Sequence, residues 1–99
     1  MTKIILNTTE FEIDSYGRNT YFNGETISSN ANCSILNSDA TELNELLGVA
    51  ITTIQIYHDN NLIYDLQDIN ARIESINEYL SGNRIGTSIN LVFDNTQNL

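Results

Sequence analysis

The chain has 99 residues, 40% of them hydrophobic, and its thirteen carboxylates face only four basic side chains, for a net charge of −9. A field of that sign opposes nucleic acid and anionic membranes and favours basic protein surfaces. The single cysteine, Cys33, excludes an internal disulfide and fits a reducing compartment.

Ninety-nine residues make one domain, with an expected radius of gyration of roughly 13 Å. The start MTKIILNTTE has no apolar signal region, and no run approaches the roughly 20 residues of a membrane span. A cytoplasmic protein is expected, in the host cytoplasm if phage-encoded. Abundant Asn and Ile suggest a low-GC genome, as found in many bacteria and their phages.

The first half reads as strands. Ile4 to Leu6 are apolar, and Phe11 and Ile13 then alternate with Glu10, Glu12 and Asp14, the period-two signature of a half-buried strand. Ser15-Tyr16-Gly17 reads as a turn, Tyr21 and Phe22 open a second strand, and Asn23-Gly24 is a hairpin signal. Residues 25–37 are Ser- and Asn-rich and leave strand and loop both open. Asp39 with Glu42 has the spacing of a capping box. Leu43, Leu46 and Leu47 follow at helical intervals and Gly48 stops them, so a short helix is predicted over about 39–47.

The second half alternates from Ile51 to Tyr57, turns at Asp59-Asn60-Asn61, and returns through Leu62, Tyr64 and Leu66. Asp68 then caps a predicted helix over about 68–81 whose stripe is Ile69, Ile73, Ile76 and Leu80, with Gly82 as its end. Ile89, Leu91 and Phe93 point inward from a last strand. The predicted fold is therefore α+β: one domain with an antiparallel sheet of about 4–6 strands and two helices, and a strand–strand–helix–strand unit over 51–94.

No catalytic constellation stands out, and a non-enzymatic protein without cofactor or metal is expected. His58 is the lone histidine and lies at a strand end. Cys33 has neutral neighbours in a negative field, which does not favour a thiolate. The oxygen-rich stretch Asp59, Asn60, Asn61, Asp65, Asp68 lacks the glycine of a calcium loop and carries Leu62, Ile63 and Tyr64 where ligands would be needed. A short loop of five residues from Gly82 to Gly86 follows its helix and is not a phosphate cradle. An enzyme would require a pocket uniting His58, Cys33 and an acid.

The acidic surface is what remains. Glu10, Glu12 and Asp14 would stand about 7 Å apart along one strand face, twice the rise per residue, so they could imitate phosphates in a basic groove. Asp59, Asp65, Asp68, Glu74 and Glu78 would form a second patch, with Glu42 and Glu45 extending the field and Arg18 and Arg84 as orienting contacts. In size and charge, though in no motif, the chain resembles small acidic phage and plasmid proteins that block restriction or CRISPR nucleases. That resemblance implies an anti-CRISPR or anti-restriction type of inhibitor that mimics DNA. Its partner would be a protein with a basic surface, such as a nuclease, bound by a monomer or homodimer.

The alternative is a small phage virion or assembly protein that packs through its strands and self-associates. Tyr57, Ile63 and Tyr16 would then be contacts. Two observations separate these readings. Carboxylates spread evenly, or paired with the basic residues, remove the basis for mimicry and favour assembly.

Overall fold

Period-two patterns rich in Ile, Tyr and Thr fit a pleated, half-buried surface better than a helix, and the computed structural model follows that preference along nearly the whole chain. It describes residues 1–22, 24–36 and 40–98, with side chains except at 26, 40, 41, 81, 84 and 94–98. Seven strands form: β1 (Thr2–Leu6), β2 (Thr9–Phe22), β3 (Thr26–Leu36), β4 (Ile54–His58), β5 (Asn61–Leu66), β6 (Ala71–Ser81) and β7 (Arg84–Asn98). One short helix, α1 (Ala40–Leu46), lies between β3 and β4. The strands make one antiparallel sheet in the order β5-β4-β1-β2-β3-β7-β6.

The connectivity forces this sheet to curl. Its two edge strands, β5 and β6, are consecutive in the chain, and only Gln67 to Asn70 separate Leu66 from Ala71. Five residue steps reach at most about 18 Å, whereas six strand spacings across a flat sheet span roughly 29 Å. Curling brings the edges together at that end. The same curvature sets the Tyr16 ring of β2 5.5 Å from the Tyr64 ring of β5, although three strand spacings, about 14 Å in a flat sheet, separate those strands.

The concave side holds the core. Ile4, Leu6, Phe11, Ile13, Ala31, Cys33, Ile35, Ile54, Ile56, Ala71, Ile73, Ile89, Leu91 and Phe93 are buried on it. Leu43 of α1 and Ile51 close the remaining opening, and both are fully buried. The segment after α1 is tied to β6 by isolated bridges, Leu47 to Ile73 and Ile51 to Ala71. Asn7 clips the same segment from the other side. At φ 58° its side chain donates to the Ala50 carbonyl at 3.0 Å and accepts from the Thr52 N–H at 2.8 Å.

The α+β expectation is overturned: 68–81 is no helix but the connection into β6 and β6 itself. The stripe Ile69, Ile73, Ile76, Leu80 explains the error. Spacings of four suit helix and strand alike, since four is twice the strand period. Only the step of three from Ile73 to Ile76 is specific to a helix, and here a bulge supplies it. Ile73 pairs with Leu91 and Ser75 with Asn90, which leaves Glu74 as the extra residue. Of the two predicted helices only the two turns of α1 form. The proposed cap at Asp39 lies outside the described residues.

A second bulge corrects the first half. Ile13 pairs with Ile35 and Ser15 with Ser34, so Asp14 is the extra residue, and β2 runs straight through the predicted turn at 15–17. Tyr21 and Phe22 end that strand instead of opening another. Residues 26–36, left open by their composition, form β3. The Asp59-Asn60 turn does form: both residues have positive φ, 49° and 69°, as a two-residue type I′ hairpin loop requires.

Candidate functional site

Glu10 and Glu12 lie on the convex face, where Glu10 sits 3.8 Å from Lys3 and Glu12 pairs in register with Lys3. Asp14 does not continue their row, because its bulge displaces it. Asp65 shares the convex face and accepts from the Gln55 and Gln67 side chains. Asp59, at the β4–β5 tip, accepts from the amino group of Met1 at 2.7 Å and lies 3.4 Å from His58 Nε2. The amino group and then His58 hold its carboxyl below the usual carboxylate range. Asp68 occupies the β5–β6 connection with φ 53°. On β6, Glu74 is the bulge residue 3.9 Å from Arg72, and Glu78 is exposed on the concave side opposite Thr87.

The structure therefore does not bring the eight predicted acids into one or two rows. They are distributed over the convex face, a hairpin tip, a connection and the far edge strand. Several also guard edges. Each edge strand combines a bulge with acids: Ile63 is the extra residue on β5, beside Asp65, and Glu74 the extra residue on β6, followed by Glu78. Bulges and charges at sheet edges discourage strand addition by another chain.

Of the predicted orienting arginines, the Arg84 side chain lies outside the described ones, and Arg18 turns into the concave side. Its guanidinium stands 4.3 Å over the Phe93 ring. Nη1 donates to the Tyr64 hydroxyl at 3.3 Å and Nη2 to Ser29 Oγ at 3.1 Å. Beside it opens a cleft of about 460 Å³ lined by Thr2, Ile13, Asp14, Ser15, Tyr16, Arg18, Ile56, Ile63 and Tyr64. The Tyr16 hydroxyl is buried without a hydrogen bond of ordinary geometry. Burial first, and the adjacent Tyr64 phenol second, push its pKa above the ordinary tyrosine value.

Sequence reasoning missed this group because it placed Tyr16 in a turn. One signal was available: Tyr16, Arg18 and Thr20 alternate, and a strand carried past Asp14 with one bulge aims all three inward. Cys33 and His58 are not united. Cys33 is buried in the core, where desolvation pushes its thiol up to about 12. His58 is exposed at a strand end, its Nδ1 2.8 Å from Thr2 Oγ1, and neither lines the cleft.

Uncovered apolar side chains mark a different region. Leu80 and Ile85 face each other across the β6–β7 hairpin, 76% and 72% exposed. They continue the concave face, two pairs beyond Ile76 and Ile89, past the end of the core. Behind them the Tyr79 ring packs over Gly86, where a Cβ would collide with it, and its hydroxyl bonds Ser34 Oγ at 3.0 Å. The hairpin thus presents its apolar pair from a braced backbone. Among the described residues, no helix is long and apolar enough to cross a membrane. No protein family, curated protein or solved structure shows significant similarity to this chain.

Proposed function

We infer that this is a non-enzymatic interaction protein that packs into a protein assembly, first of all with a second copy of itself, through the open end of the β6–β7 hairpin. The Leu80–Ile85 pair carries the reading: two large aliphatic side chains side by side, both more than 70% exposed. Burying such a side chain against a partner is worth about 1.5–3 kcal/mol. A small virion or assembly component of a low-GC phage would use such a surface. The distribution of the acids supports this reading over mimicry of a nucleic acid, since the Glu10–Glu12 pair on the convex face is not continued by Asp14. Their role here is to blunt edges and solvate the sheet.

A net charge of −9 on each copy opposes self-association, and salt relieves that repulsion over a screening length of about 8 Å at physiological ionic strength. Association between copies should strengthen with salt. Sedimentation velocity across a range of protein concentrations, at low and high salt, tests this. Dimers or larger species favoured by salt and lost in Leu80→Asp support the reading; a monomer at every concentration and salt sinks it.

A second reading keeps a basic partner and is favoured by the convex face. There Glu10, Ile5, Gln55 and Asp65 stand in one cross-strand row with Glu12 alongside, and Lys3 is the one basic side chain among them. Binding of an inhibited nuclease by that face would weaken with salt, the opposite sign.

A further inference from the structure

Arg18 is an exposed residue on the lining of a largely apolar cleft. Its partners are two neutral hydroxyls, Tyr64 and Ser29, and the face of Phe93. Those contacts fix the guanidinium plane while using only part of its five-donor fork. Tyr16 lines the same cleft, and its hydroxyl is buried. Part of the remaining lining is aliphatic: Ile13, Ile56 and Ile63. A volume of about 460 Å³ is within the range of small-molecule pockets.

We propose that the concave cleft between β2 and β5 is a binding site for a small apolar molecule carrying a single carboxylate. The carboxylate lies against Arg18, and the hydrocarbon part covers the three isoleucines. Asp14, which also lines the cleft, selects against a second anionic group. The negative charge of the whole protein weakens binding of any anion, so affinity is modest and improves as salt screens that field. This site is independent of how the Leu80–Ile85 surface is used.

An amide NMR titration of the whole protein with 2-naphthoate, and in parallel with neutral 2-naphthamide, tests the proposal. Saturable shifts centred on Tyr16, Arg18 and Tyr64 are expected, with the acid bound about tenfold more tightly than the amide, the effect of one charge-assisted hydrogen bond. Arg18→Gln should remove that preference and leave amide binding within about twofold, since only the charged contact is lost. Arg18→Lys retains the charge without the fork and should fall between wild type and Arg18→Gln. Equal binding of acid and amide by the wild type overturns the proposal, as do shifts centred elsewhere or no saturable shift. So does an acid preference that survives Arg18→Gln. The wild-type comparison of acid with amide decides the matter even if a variant fails to fold.

Discussion

Cys33 shows how a single buried side chain writes itself into the pH dependence of the fold. Its thiol is 1% exposed, and burial raises its pKa to about 12. Between the ordinary thiol range and that value the folded protein keeps the proton while the unfolded chain loses it. The unfolded state then binds fewer protons, so stability falls as pH rises through this window, at up to about 1.4 kcal/mol per pH unit. Urea denaturation from pH 7 to 11 should show this loss in the wild type and a shallower one in Cys33→Ala. Asn7 is the second residue on which much depends. It is a non-glycine residue at positive φ whose amide joins the β1–β2 turn to residues 50–52. Asn7→Ala loses both bonds and adds left-handed strain, and should cost about 2–3 kcal/mol in chemical denaturation.

At the level of elements, the β4–β5 pairing was legible and the bulges were not. Residues 54–66 announced a hairpin through alternation and an Asp-Asn turn, and the structure forms it. Two one-residue irregularities defeated the reading elsewhere. Asp14 reverses the alternation of β2, and a turn was assigned where the strand in fact continues. Glu74 inserts a step of three into β6, which imitates a helical stripe. Gly82 reads in the sequence as a helix stop, whereas it is the first central residue of the two-residue β6–β7 loop, at φ 64°, the position glycine takes in a type II′ turn. A Cβ there would meet nothing within 4 Å, so Gly82→Ala isolates the conformational term. It should cost about 1–2 kcal/mol, measured by thermal or urea unfolding.

For the whole molecule, the curl of the sheet is the fact from which the rest follows. It gives a small chain a core on one side of a single sheet, with α1 and Ile51 closing the opening. It also brings Tyr64 over Tyr16 and Arg18, a grouping that depends on curvature and is therefore absent from any local pattern. The long β2–β3 and β6–β7 hairpins draw the protein out to 45 Å in its longest dimension. The acids, conspicuous in the composition, lie on the convex face, a hairpin tip, a connection and the far edge strand, a placement that the composition does not disclose. The exposed Leu80–Ile85 pair was hidden for another reason, since a helical reading had placed Leu80 in the core.

The proposed contact between copies lies at the open end of the β6–β7 hairpin. Amide hydrogen exchange, read by mass spectrometry on dilute and concentrated protein at high salt, reports on that end. Protection gained on concentration over residues 78–86, and lost in Leu80→Asp, is the expected result. Exchange at 78–86 that does not change with concentration, or protection gained instead over the convex strands β1, β2, β4 and β5, would contradict it.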